Sequence, residues 1–246
     1  MTGRSGAARA QLTLATISFA VCFAAWGLIS AFAPRFRDIY HLTALETAWL
    51  VSTPVLLGSV ARIPMGMLTD RLGGRAVYTL LTLLVAIPVV LVPRLTTYPA
   101  LVTTAFVLGL AGSSFAVGVA FVSPWFPASQ QGSALGVYGL GNIGQSVAVF
   151  VGPLLALSFG WQGVFRVAAA ILAIWGIAFG VFARDPPSRP SPKSPGAMFA
   201  VLASNRLSWV LAAFYFLTFG GFVAFSIYLP TLLKDQFRLT PADAGF

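Results

Sequence analysis

Seven apolar runs, at residues 12–33, 46–69, 76–93, 99–123, 131–157, 163–183 and 207–233, set the terms on which this 246-residue chain can fold. Each is close to the ~20 residues that a helix needs to cross a hydrocarbon core of ~30 Å. Hydrophobic residues make up 58% of the sequence and charged ones 9%, where an ordinary soluble domain carries roughly 25% charged. So few charges cannot cover the surface of a water-soluble protein of this size, and the chain reads as an all-α integral membrane protein. The period-two alternation of a transmembrane β-barrel is absent from the sequence. The first run is long enough to span and carries no convincing cleavage site, which argues against a removable signal.

Composition also excludes several kinds of chemistry. One cysteine, Cys22, and one histidine, His41, leave no material for a disulfide, a His/Cys metal site or a histidine-based triad. No cofactor is expected. A net charge of +9 raises the possibility of nucleic acid as a partner, but the basic residues are scattered through short connections, as a bilayer topology signal requires. An N-terminus on the inner side puts Arg4, Arg9, Arg71, Arg75, Arg184, Arg189, Lys193 and Arg206 inside. It leaves Arg35, Arg37, Arg94, Arg166, Lys234 and Arg238 outside. Eight against six is a weak bias towards a cytoplasmic N-terminus in an inner membrane.

An internal repeat divides the chain. "FAVCFAAWGLISAFAP" (19–34) aligns with "YFLTFGGFVAFSIYLP" (215–230) at an offset of 196, pairing Phe23 with Phe219, Trp26 with Phe222, Ser30 with Ser226 and Pro34 with Pro230. After a one-residue insertion, "DIYHLTALETAW" (38–49) matches "DQFRLTPADAGF" (235–246). The seventh run therefore restarts the first. The expected organisation is a six-helix bundle at 1–183, a cytoplasmic linker rich in proline and serine at 184–206, and the first helix of an incomplete second bundle at 207–246.

Arg62 sits inside the second run, where a permanent charge costs at least ~2.5–3.5 kcal/mol on insertion scales. At 100° per residue, Val55, Gly58, Ser59, Gly66 and Thr69 share its helix face. Pro64 cannot donate to the carbonyl of Val60, which loosens the backbone beside it. All six acidic residues fall in predicted loops or at helix ends, so no carboxylate is expected at its depth. Snorkelling to the interface or a structural ion pair are the alternatives to an anion site. Arginine suits a planar oxyanion because its rigid fork of donors bonds two oxygens at once and stays charged.

Three further stretches stand out. In 132–153, Gly132, Gly136 and Gly139 share an arc expected to let a neighbouring helix approach closely. Tyr138, Asn142 and Gln145 form a separate polar arc, expected to face a cavity or another helix. In the seventh run, Tyr215, Thr218, Phe219, Phe222 and Ser226 lie on one face, matching Phe19, Phe23, Trp26 and Ser30 of the first. Such aromatic stripes serve packing, or beside an arginine sandwich a flat anion. "GMLTDRLGGR" (66–75) is a tight basic turn, with Gly73 and Gly74 permitting the reversal.

That decapeptide resembles the cytoplasmic signature loop of the major facilitator superfamily, Gly-x-Leu-x-Asp-Arg-x-Gly-x-Arg, here Gly66, Asp70, Arg71, Gly73, Gly74 and Arg75. Gly136 to Gly144, read as G-x-x-G-x-G-N-x-G, resembles the nitrate signature of that superfamily's nitrate/nitrite porter family, through Gly136, Gly139, Gly141, Asn142 and Gly144. "WFPASQQGSALG" and "SVARIPMG" are also similar to the family pattern, while Ser129 and Gln130 stand where a basic residue is usual.

The resemblance implies two six-helix bundles and alternating access about an anion near the midplane. It implies that Arg62 clasps nitrate or nitrite and that Phe115, Tyr215 and Phe219 line the site. Asn142 lies beside it and, with Tyr138, is a further substrate-binding candidate. The family's second arginine falls at position 259 by the repeat offset, beyond Phe246, so further helices are expected to complete the pathway of a carrier working as a monomer. The first seven helices hold no buried Asp, Glu or His in their spans, which favours anion exchange or facilitated passage over proton symport. A carrier of small organic anions such as monocarboxylates, or a non-transporting fragment, stands as the alternative, and a membrane-embedded enzyme has no residues to support it.

Overall fold

The computed structural model describes residues 2–186, 196, 200 and 203–237. Most of the segment expected as a linker lies outside the described residues, with Arg189 and Lys193, and so does the loop half of the repeat from Arg238 onward. The side chains of Arg4, Ser226, Pro230, Lys234 and Asp235 lie outside them too.

Among the described residues the regular elements are helical. They are α1 (Thr2–Ala31), α2 (Ala33–Tyr40), α3 (Ala44–Val60), α4 (Arg62–Leu72), α5 (Gly74–Leu91), α6 (Tyr98–Leu108), α7 (Ser114–Val122), α8 (Ala128–Gly139), α9 (Ile143–Phe182) and α10 (Arg206–Phe237). They compose seven crossings. α1, α5 and α10 each cross alone, α3 and α4 form a second crossing bent by 40°, and α6 continues into α7 through a 3-10 turn at Gly109–Ser113. α8 runs through another 3-10 turn, Leu140–Asn142, into α9. The 40 residues of α9 are too many for one crossing, since a straight helix of that length would extend about 60 Å. Gly160, at φ 67° and ψ 160°, breaks it into the fifth and sixth crossings.

Two details differ from the sequence expectation. The run 46–69 reads as one helix, but the chain breaks at Ala61, three residues before the proline that leaves the Val60 carbonyl without its helical donor. The runs 131–157 and 163–183 read as separated by a loop, whereas a single left-handed glycine makes the reversal. Thr43 and Glu46 form a reciprocal capping box that starts α3.

α1 is the centre of the bundle. Its Phe19, Cys22, Phe23, Ala25 and Ile29 are buried, and it packs against α9, α7 and α3. Helices touch backbone to backbone where glycines meet. A Cβ on Gly58 would come within 2.8 Å of the Gly109 carbonyl oxygen and 3.3 Å of Gly112 Cα. This contact, together with the 3-10 turn, fixes the height of α7 against α4 and sets Phe115 opposite Arg62.

Candidate functional site

Arg62 is the first residue of α4, immediately after the break at Ala61. The bend turns its side chain towards α10, where its Nη1 donates to the Tyr215 hydroxyl at 3.2 Å. Its guanidinium carbon lies 4.9 Å from the ring centroid of Phe219, 5.7 Å from that of Phe115 and 5.9 Å from that of Tyr215. These rings are themselves ordered, Tyr215 stacking on Phe219 at 4.9 Å with planes 11° apart and Phe115 on Tyr215 at 5.9 Å. A cation over an aromatic face gains about 0.5–2 kcal/mol, more when water is excluded. The Nε of Arg62 is buried without a hydrogen-bond partner, and no carboxylate pairs with this arginine among the described residues. The guanidinium therefore has hydrogen-bonding capacity left over.

The arginine opens onto a groove of about 550 Å³ between the second and seventh crossings. Val55, Ser59 and Arg62 form one wall and Tyr215, Phe219 and Val223 the other. At its far end Ser52 donates to the Ala48 carbonyl and so accepts from the Tyr228 hydroxyl, at 2.7 Å. Ser52 and Tyr228 did not emerge from the sequence. On a straight helix Tyr228 lies about 140° from Tyr215, so helical spacing offers no signal for it.

The remaining candidates are placed as follows. Phe115 packs against Arg62 and Tyr215 without lining the groove itself. Tyr138 is fully buried behind Phe115, its ring 6.0 Å away, and does not line the groove. Its hydroxyl donates to the Ser114 carbonyl at 2.9 Å and accepts from Tyr78 at 3.0 Å. Asn142 turns back on its own helix, its Nδ2 donating to the Gly139 carbonyl at 2.9 Å, while its Oδ1 is buried without a partner.

The glycine arc makes no helix contact among the described residues. Gly132, Gly136 and Gly139, expected to admit a neighbouring helix, have nothing within 4 Å of a built Cβ among the described residues. Close approach belongs instead to Gly141 and Gly144, where a Cβ would run into the Phe19 ring and the Ala20 backbone of α1. A helical wheel groups residues by face but does not say which face meets the bundle, and here the 3-10 turn at Leu140–Asn142 resets the register.

The loop motif forms a separate assembly. Gly73 holds φ 91°, and a Cβ on Gly74 would meet the Phe121 ring, so the two glycines serve conformation and space respectively. The Arg75 backbone N–H donates to Asp185 Oδ1 at 2.9 Å, and its Nε donates to the Gly180 carbonyl at 2.8 Å. Asp185 thus caps α5 from the far end of the sixth crossing. Asp70 lines a small cleft beside Gly73, Gly74 and Asp185, Arg71 is exposed in the last turn of α4, and Gly66 faces open space.

Comparisons with known proteins agree with this architecture. The nitrite extrusion protein of Bacillus subtilis is 35% identical over 235 residues, covering 96% of this chain and 59% of that protein. The probable nitrate transporter NarT of Staphylococcus epidermidis is 36% identical, covering 96% and 60%. The probable nitrate/nitrite antiporter NarK1 of Thermus thermophilus is 37% identical, covering 95% and 56%. The chain thus spans somewhat under two thirds of the length of these relatives. A bacterial homologue of the human lysosomal transporter Spinster, solved in an inward-facing and unoccupied conformation, superposes with a TM-score of 0.72 at 17% identity, over 97% of this chain and 58% of its own. That likeness concerns the fold alone. The family model described as Major Facilitator Superfamily matches residues 14–246, and the chain belongs to that superfamily.

Proposed function

We propose that this chain is part of a carrier that moves nitrate and nitrite across the cytoplasmic membrane by alternating access, with Arg62 clasping the anion. The observation that carries the reading is the state of that arginine: a permanent charge under three aromatic rings, its Nε without a partner, at the edge of a groove between two crossings. A flat anion with equivalent oxygens matches a planar fork of donors, and ring faces admit a flat solute while rejecting a bulky one. Relatives over 96% of the chain are named for nitrate or nitrite, which supports the choice among planar anions.

Residues 1–183 form one six-helix unit with a cytoplasmic N-terminus, 184–206 link it on the cytoplasmic side, and 207–246 begin the second unit. Tyr215 and Phe219 are the groove's aromatic wall, Phe115 packs against the arginine beside them, and Tyr138 supports Phe115 from behind. Exchange follows from electrostatics. With an anion bound the positive charge of the site falls by one, whereas an empty site carries its full charge in a low-dielectric setting and reorients slowly. Each anion carried one way is then answered by one returning.

The test uses the full-length protein in proteoliposomes loaded with nitrite. Arg62→Lys replaces the fork by one point charge and is expected to reduce nitrate exchange to near background, with Arg62→Gln no better. Unchanged nitrate affinity in the lysine variant overturns the assignment. Uptake that needs a pH gradient and no internal anion overturns exchange.

A further inference from the structure

One turn beyond Asn142, Gln145 is only 1% exposed, and neither its amide nitrogen nor its amide oxygen has a hydrogen-bond partner. Trp26, on α1, is 6% exposed, and its Nε1 is likewise buried and unpaired. Both side chains line one small space of about 10 Å³, closed by Ile29, Ser30, Val51 and Pro54. Ser30 offers this space no proton, since its hydroxyl donates to the Gly27 carbonyl at 2.9 Å. The Ser30 oxygen keeps a free lone pair, so it can accept a hydrogen bond from within the space.

Buried polar groups in folded proteins are paired with protein or with ordered water. Cavities that stay empty are lined by apolar groups, and a water needs two to four polar partners and about 10–15 Å³ of room for its centre. The space here is of that size and polar on two sides. We infer that it is a binding site for a single water molecule, which accepts from Trp26 Nε1 and donates to Gln145 Oε1 and to Ser30 Oγ. The site is too small for nitrate and holds no charge, and it shares no residue with the groove beside Arg62. This inference therefore stands apart from the transport reading. The water joins two crossings, α1 and the first part of α9, against the apolar side chains of Val51 and Pro54 on α3. Gln145 becomes a positioning residue for the helix that carries Asn142.

The full-length protein with 15N-labelled tryptophan, in lipid nanodiscs, tests this. The Trp26 indole resonance is assigned by its loss in Trp26→Phe. A cross-peak from that indole proton to water is expected, together with slow exchange of the proton. In Gln145→Met the cross-peak is expected to disappear while the other indole resonances stay in place. A wild-type indole proton with no water cross-peak overturns the inference, as does one whose cross-peak runs to the Gln145 side chain instead. Should Trp26→Phe not fold, a density map fine enough to show ordered water decides the matter. A peak between Trp26 and Gln145 supports the site, and an empty space or a direct indole–amide bond refutes it.

Discussion

Arg62 and Tyr215 are joined across two crossings: the guanidinium of the second donates to the hydroxyl of the seventh at 3.2 Å while lying over the same ring. The bond spends one donor of the fork to hold the rest in place. A hydrogen bond to a charged group contributes about 1.5–3 kcal/mol, and partial exposure of Tyr215 puts this one towards the lower end. Tyr215→Phe keeps the ring and removes the bond. Nitrate affinity of the full-length protein is expected to fall about tenfold, since about 1.4 kcal/mol corresponds to one decade. Titration calorimetry reads this directly, and an unchanged dissociation constant shows that Tyr215 does not position the arginine.

Phe219 comes nearest to the guanidinium carbon, at 4.9 Å. Phe219→Leu keeps most of the apolar bulk and removes the ring face. With about 0.5–2 kcal/mol at stake in the cation–π contact, a loss of roughly 2–30-fold in nitrate affinity is expected. Phe219→Tyr retains the face and is expected to bind within about twofold of wild type on the same principle. Equal losses in both variants point to packing of α10 rather than to the ring's electrostatics.

What the sequence disclosed and what it hid follow from the kind of information each feature carries. Seven crossings are legible because a hydrocarbon slab demands long apolar runs, and Arg62 is legible because a charge in such a run is rare. The aromatic face of α10 is legible because its residues recur at helical spacing, and Tyr215 and Phe219 do meet Arg62. Relations between helices are not legible in this way. The wheel placed Gly136 and Gly139 on a contact face, but the contact runs through Gly141 and Gly144. It grouped Tyr138 with Asn142 and Gln145, yet a 3-10 turn between them sends the three side chains to different surroundings. Ser52 and Tyr228 find each other only when α3 and α10 are packed.

The close approach at Gly144 makes its own prediction. A Cβ at Gly144 would run into the backbone of Ala20, which has no side-chain freedom with which to yield. Overpacking of this kind costs about 1–3 kcal/mol or more. Gly144→Ala is expected to lower the thermal midpoint of the purified protein by several degrees. Gly136→Ala meets nothing within 4 Å among the described residues and is expected to leave the midpoint unchanged or slightly raised. A reversed order of the two midpoints places the helix contact on the other arc.

Asp185 caps α5 from a distance in sequence, accepting from the Arg75 backbone N–H at 2.9 Å. Loss of a capping side chain costs about 0.5–2 kcal/mol. Asp185→Ala is therefore expected to lower the thermal midpoint modestly, while Asp185→Asn, which retains an acceptor oxygen, lowers it less. Exchange of the amides at the start of α5, followed by mass spectrometry after deuterium labelling, is expected to quicken in the alanine variant. Unaltered exchange there means the bond does not hold the helix end.

Tyr138 separates support from recognition. Its hydroxyl stays within the bundle, between Tyr78 and the Ser114 carbonyl, and only its ring face touches Phe115. Tyr138→Phe keeps the ring and leaves two buried groups short of a partner, a change that costs about 1–3 kcal/mol. The thermal midpoint is expected to fall while nitrate affinity stays within about twofold, a change of less than about 0.5 kcal/mol. The paired variant Tyr78→Phe/Tyr138→Phe removes both hydroxyls and is expected to recover part of the lost stability, because the Tyr78 hydroxyl is then no longer left without its partner. Affinity falling tenfold in Tyr138→Phe at unchanged stability returns Tyr138 to the anion's own shell.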